Sequence, residues 1–257
     1  MAVLDDVSGI LFDLDGVLFV GSQMIPGADA VIAHVKQRQI PCRFVTNTTT
    51  QSRDAIAQKV QAMGLPIQSD EIISTPSAAL TYLRQQGFRR GYLLLADEVK
   101  REFEDFPCTD QGPEAVVIGD IGSAWNYAML NSVFNMLMEG AELIALHKNK
   151  FWQTDEGLRM DIGAFVAGLE YVTGKQATII GKPSPAFFQL AIQQLQLPAN
   201  QVLMIGDDID SDVGGAQCFG LKAMLVRTGK YRPDYAEASS IQPDFVADSV
   251  AELINFL

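Results

Sequence analysis

Histidine and cysteine are scarce in this chain, with two His and three Cys among 257 residues. His34 and His147 cannot form a His cluster with metal-ligand spacing. Cys42, Cys108 and Cys218 are odd in number and far apart, which excludes a disulfide framework and a zinc site and fits a reducing compartment. The cysteines are expected to act as small buried hydrophobes. Positive charge is also short: 19 Lys and Arg face 31 Asp and Glu, a net charge of −12 with a pI near 4.5. Such a chain offers no basic field to nucleic acid or to an anionic membrane. No uncharged apolar run approaches ~18 residues, and Asp5 and Asp6 stand where a signal peptide would be positive. A soluble cytoplasmic protein without nucleic-acid or membrane partners is expected. Nucleotide motifs are missing too. Gly181-Lys182 and Gly174-Lys175 are followed by Pro183 and Gln176, so neither is a P-loop, and no dinucleotide glycine pattern or nucleophilic Ser elbow occurs.

What is present is enough apolar residue, 48%, to fill one large or two modest cores. Apolar runs of strand length alternate with amphipathic stretches of helix length, the rhythm of an α/β fold built from βαβ units around a parallel, Rossmann-like sheet. The pattern predicts strand Ile10–Phe12, helix Asp29–Gln39, strand Cys42–Val45 and helix Ser52–Met63 with Gly64 as its left-handed cap. A second α/β rhythm follows: strands at Tyr92–Ala96, Ala115–Ile118 and Leu143–Leu146, and helices at Tyr127–Met138 and Ile162–Val172. The first rhythm then resumes with strand Thr178–Ile180, helix Pro185–Leu195 behind the N-cap Ser184, and strand Val202–Ile205. An insertion is therefore expected, with residues 1–77 and 178–257 as one domain and 78–177 as the other.

Four segments place a reactive side chain just after an apolar run: Ile10 to Gly16, Arg43 to Asn47, Ile179 to Pro183 and Val202 to Asp208. Residues at the carboxyl ends of parallel strands converge in space however far apart they are in sequence. Asp13 and Asp15, two apart in an extended segment, project the same way. Two carboxylates on one loop suggest metal binding, nucleophilic attack with acid/base support, or both. A hard cation such as Mg²⁺ would remove the repulsion between carboxylate and phosphate, and Asp207 is of the all-oxygen type that suits it. Asp208 and Asp210 are read as helix N-cap acids, and Asp212 as a support for the metal residues. Thr46 and Asn47 carry donors that a phosphoryl oxygen accepts, and Lys182 adds a permanent positive charge.

The order Asp-x-Asp-Gly, strand-Thr-Asn, Gly-Lys-Pro, Gly-Asp-Asp-x-x-x-Asp resembles the haloacid dehalogenase (HAD) superfamily over the full chain. The insertion between the second and third motifs resembles a class IIA, C2a-type cap. Finer matches, Arg43 to Thr49, Gly206-Asp207-Asp208 with Asp212 to Gln217, and Val226 to Arg232, resemble the phospholysine phosphohistidine inorganic pyrophosphate phosphatase subgroup. The resemblance implies Asp13 as nucleophile and metal ligand. It makes Asp15 the general acid/base, with its backbone carbonyl also on Mg²⁺. Thr46, Asn47, Thr48 and Lys182 would bind the phosphoryl group, Asp207 would complete the metal site, and Asp208 and Asp212 would support it. Some members of that subgroup carry Ser where this chain has Asp15, so their substrates do not transfer directly.

The function expected is Mg²⁺-dependent hydrolysis of a small phosphorylated compound through an aspartyl-phosphate, under a cap that closes and excludes water. His147, Lys148, Lys150 and Trp152 follow a strand of the cap and are candidates to reach substrate. The resemblance further implies a homodimer through the cap. The competing readings are a receiver-like phosphoryl-binding module without turnover, and a phosphotransferase to an acceptor other than water. The large insertion and the presence of Asp15 weigh against the receiver.

Overall fold

The computed structural model describes residues 6–154 and 157–257, with side chains throughout these except at 151–158. It divides into two compact units: the stretch ending at Thr46 with Arg53–Ile73 and Lys182–Leu257, and Asn47–Ser52 with Ser74–Gly181. Each has its own sheet and core.

The first unit is built on a six-stranded sheet in the order Phe245–Ala247, Lys222–Val226, Val202–Gly206, Gly9–Asp13, Cys42–Thr46, Ile72–Ser74. The two central strands are buried at every position, as unbroken apolar runs must be when helices cover both faces of a parallel sheet. Ile10, Phe12, Phe44, Leu203 and Ile205 pack with Val31, Ile32 and Val35 of helix Ala28–Gln37 and with Ile56 and Val60 of helix Arg53–Ala62. Each such large side chain removed from water contributes about 1.5–3 kcal/mol. Gly64, at φ 93°, ends the second helix as expected.

The second unit carries a four-stranded parallel sheet in the order Thr178–Ile179, Glu142–Ala145, Ala115–Ile118, Gly91–Leu94. Val116, Ile118, Leu143 and Ala145 pack on Val133 and Leu137 of helix Tyr127–Met138 and on Val166 and Leu169 of helix Gly163–Thr173. An antiparallel hairpin, Phe151–Thr154 with Gly157–Met160, follows the third strand in chain order. Helix Thr75–Gln85 opens the unit. Ser74 and Ser77 exchange backbone-to-hydroxyl bonds there, in a capping box with Pro76 in the first turn.

Several expectations are corrected. Strand Thr178–Ile179 pairs with Glu142–Ala145 in the second sheet and not with the first. A strand of two residues gave the sequence no means of choosing a partner strand, and the first unit resumes only at Lys182. Strands Lys222–Val226 and Phe245–Ala247 extend the first sheet beyond the last strand expected. Ser184 holds the N-cap position of helix Pro185–Leu195 without a side-chain capping bond. Cys42 is buried, and burial raises its thiol to about 11, but Cys108 and Cys218 are exposed. Among the described residues no helix is long and apolar enough to cross a membrane.

Candidate active site

Strands Gly9–Asp13 and Val202–Gly206 are parallel neighbours, with Phe12 opposite Ile205. On one side of this pair the sheet continues into Cys42–Thr46, and on the other into Lys222–Val226. A sheet whose connections part in this way opens a crevice at the carboxyl ends of the two strands. Asp13 is the last residue of the first strand, and Asp207 directly follows the second.

Asp13, Asp207 and Asp212 are all buried and bring carboxylate oxygens within 4.8 Å of one another. Lys182 lies among them, its Nζ 2.6 Å from Asp13 Oδ1 and 2.7 Å from Asp212 Oδ1. One buried ammonium cannot balance three buried carboxylates. Burial acts to lower the Lys182 pKa, yet Asp13 and Asp212 raise it well above the ordinary lysine value. The surplus negative charge appears on Asp207, which burial and then Asp13 push up to about 7 against the backbone amide of Lys230. Burial likewise raises Asp212, against the pull of Lys182.

The donor set fits a hard divalent cation. Asp207 Oδ1 is buried with no hydrogen-bond partner among the described residues. An unsatisfied carboxylate oxygen in a carboxylate cluster with surplus negative charge is the ligand type that Mg²⁺ takes.

The supporting acids divide as their local geometry dictates. Asp208 accepts from the amides of Asp210 and Ser211, capping the π-helical turn Ile209–Gly214. Asp212 sits in that turn and its Oδ2 accepts from Asp208 N at 3.2 Å, which locks the carboxylate that faces Lys182. Asp210 accepts from the Tyr235 hydroxyl. Asp15 is exposed and its side chain stands outside the buried cluster, because the strand ends at Asp13 and Leu14 turns into the core. Thr46 is buried at the tip of its strand, whereas Asn47 and Thr48 are half-buried and group with the second unit.

The residue-by-residue reading missed the loop Thr228-Gly229-Lys230. Thr228 Oγ1 donates to the Gly16 carbonyl at 2.5 Å, and the Lys230 amide donates to Asp207 Oδ2 at 2.6 Å. A Cβ at Gly16 or at Gly229, both at positive φ, would overlap Asp207 Oδ2. Only glycine lets these two backbones close on the carboxylate. The available signal was a Thr-Gly turn after the apolar run Ala223–Val226, another strand tip.

Of the candidates on the second unit, Lys148 is paired with Glu170 at 2.5 Å and Lys150 is exposed. His147 is buried beside Thr49 and Asp161. The Trp152 side chain lies outside the described residues.

Known proteins are similar to this chain along nearly its full length. The phospholysine phosphohistidine inorganic pyrophosphate phosphatase of Homo sapiens is 38% identical over 260 residues, covering 99% of this chain and 95% of its own. The chain belongs to the haloacid dehalogenase-like hydrolases. The haloacid dehalogenase-like hydrolase family matches residues 10–107, and an HAD-hydrolase-like family matches residues 179–253. Haloacid dehalogenase-like hydrolase domain-containing protein 2 of Pongo abelii is 35% identical over 257 residues, covering 100% of this chain and 98% of its own. Among solved structures, 4-nitrophenylphosphatase from Thermotoga maritima superposes with a TM-score of 0.90 at 26% identity, covering 99% of both chains. The HAD-type fold, the family and the phosphatase class expected from the motifs are therefore borne out.

Proposed function

We propose that this HAD-type phosphatase hydrolyses a small phosphorylated compound in two steps, with Asp13 as the nucleophile and Asp15 as the acid/base. The observation that carries the reading is the pairing of a buried strand-tip carboxylate, Asp13, with a buried ammonium, Lys182, at 2.6 Å, beside an Asp207 oxygen that has no hydrogen-bond partner among the described residues. Asp13 attacks phosphorus while the leaving oxygen takes a proton from Asp15, giving an aspartyl-phosphate. Asp15 then takes the proton of the water that attacks this ester, and phosphate leaves with Asp13 regenerated. Asp15 gives up its proton in the first step and regains one from water in the second, so the cycle closes on it, and its exposure lets that water approach. Lys182 neutralises charge on the transferring group, and the hydroxyl of Thr46 with the amide of Asn47 and the hydroxyl of Thr48 orient its oxygens. Asp13, Asp207 and the Asp15 carbonyl would hold Mg²⁺, supported by Asp212. When bound, that cation neutralises the repulsion between the carboxylates and the phosphate.

The substrate is a small phosphate ester or related phosphate compound. The relatives' names include phospholysine, phosphohistidine, pyrophosphate and 4-nitrophenyl phosphate, and these define the first panel to try. The second unit is the proposed C2a-type cap, whose side chains choose among such substrates. Purified protein with Mg²⁺ is expected to release phosphate from p-nitrophenyl phosphate, and Asp13→Asn to abolish release with the fold intact. Full activity in that variant would overturn the nucleophile. A persistent phosphorylated protein without turnover would favour the receiver-like reading instead.

A further inference from the structure

Residues 47–52 run between two elements of the first unit, strand Cys42–Thr46 and helix Arg53–Ala62, yet they group with the second. Three of their contacts lie within the second unit. Asn47 Oδ1 lies so close to Gly181 that a Cβ at that glycine would come within 2.8 Å of it. Thr49 Oγ1 is 3.5 Å from His147 Nε2, and the Ser52 hydroxyl donates to Glu98 Oε1 at 3.0 Å. The partners stand just beyond three strands of the second sheet: Gly181 after Thr178–Ile179, His147 after Glu142–Ala145, and Glu98 in the helix that follows Gly91–Leu94.

The His147 contact is the innermost of the three, with Thr49, His147 and Asp161 all buried. His147 Nδ1 accepts from the Asn149 amide at 3.4 Å, so the ring proton resides on Nε2, the nitrogen that faces Thr49 and, at 3.7 Å, Asp161 Oδ1. Asp161 is itself fixed by the Ile162 amide at 2.7 Å, and Asp120 is the second carboxylate whose charge the ring feels. The chemistry proposed above gives His147 no step.

We propose that His147 is a positioning residue: through Thr49 it clamps segment 47–52 to the second unit and so sets the placement of Asn47 and Thr48. Thr46 ends strand Cys42–Thr46, and the residues that follow it group with His147. The proposal rests on the phosphatase reading, in which Asn47 and Thr48 bind the phosphoryl group.

The test uses His147→Leu, Thr49→Val, the double variant and the conservative His147→Gln, which keeps an N–H donor. With Mg²⁺ and p-nitrophenyl phosphate, His147→Leu and Thr49→Val are each expected to lower kcat/KM roughly tenfold, the worth of about one hydrogen bond. The loss should fall mainly on KM, and the double variant should be no worse than either single one, because both break the same link. His147→Gln should restore most of the loss. Independently of activity, amide hydrogen exchange at residues 47–52 should quicken in both single variants while strands Gly9–Asp13 and Val202–Gly206 stay protected. Unchanged exchange there, or additive kinetic losses, would overturn the clamp. Should His147→Leu not fold, Thr49→Val with the same two readouts decides. Wild-type protein without phosphatase activity would sink the phosphatase reading, and the exchange measurement would still decide the clamp.

Discussion

The six-stranded sheet ends its central strands in Asp13 and Thr46, and in Gly206 followed by Asp207, whereas the four-stranded sheet carries its strands on into Leu95, Gly119, Leu146 and Ile180. Those four residues are buried. Both sheets are parallel, both have helical cover, and both place polar groups beyond the strands. They differ in where the first charge falls. In the second unit one or two more nonpolar positions follow each strand before a polar side chain appears, so His147 and Asp120 can be satisfied by their loops. In the first unit the charge falls on the tip itself and is buried by the strands beside it. Burial then requires compensation, and the compensating groups, Lys182, the capped turn at Asp208 and the Gly16–Gly229 closure on Asp207, are what make a site.

Breaking the charge balance of the first unit should have the largest effect. Asp13→Asn is expected to cost about 10⁴-fold or more in kcat, as loss of a nucleophile does, measured by phosphate release. Lys182→Met would leave Asp13 and Asp212 buried without their cation, and stability measured by urea unfolding should drop on the order of 3–5 kcal/mol. Asp13→Asn removes one of the competing negative charges and should leave the fold intact, so the two variants separate catalysis from stability at the same contact.

Glycines sharpen the comparison further. Gly229→Ala would force the loop off Asp207, and Mg²⁺ affinity by calorimetry should weaken roughly tenfold, the usual scale for disturbing a ligand's support. Gly181→Ala in the second unit should push on Asn47 and raise KM for the phosphate ester, with Mg²⁺ affinity unchanged.

The pH responses should run through different groups. Asp207, pushed up to about 7, must lose its proton to bind a cation, so Mg²⁺ affinity is expected to fall as pH drops from 8 to 6, with proton release on binding. In the second unit burial holds His147 below its ordinary 6.5, against the pull of Asp161 and Asp120. The unfolded chain therefore takes up this proton first. Its contribution to stability is full above about 6.5 and is lost as pH falls below that value. Faster amide exchange in strand Glu142–Ala145 at pH 5.5 than at pH 7.5, beyond the intrinsic change, would register it, and the shift should disappear in His147→Gln.

Much of the first unit was legible because its information is local. Ile10–Phe12, Cys42–Val45 and Val202–Ile205 are apolar runs that stop at a polar residue, and that pattern alone names Asp13, Thr46 and Asp207. Asp208 was legible as a cap because it precedes a turn whose amides it can reach. The strand Thr178–Ile179 was not placed correctly, since two residues carry no mark of which sheet will accept their hydrogen bonds. Lys222–Val226 was missed because it opens with a lysine and its partner strands lie outside any local window. The Thr228-Gly229-Lys230 loop entered only within the family match Val226 to Arg232, with no role assigned to it.

Residue types and their spacing thus determined by themselves an α/β protein with strand-tip acids, a lysine and the HAD motif order, because helix and strand periodicity and strand termination are written in neighbouring residues. The tertiary structure alone decided that Lys182 is shared between Asp13 and Asp212, that Asp207 keeps one oxygen without a hydrogen-bond partner among the described residues, and that segment 47–52 belongs with His147. Each of these depends on burial and on distances between groups up to about 200 positions apart in the chain, which local pattern does not encode.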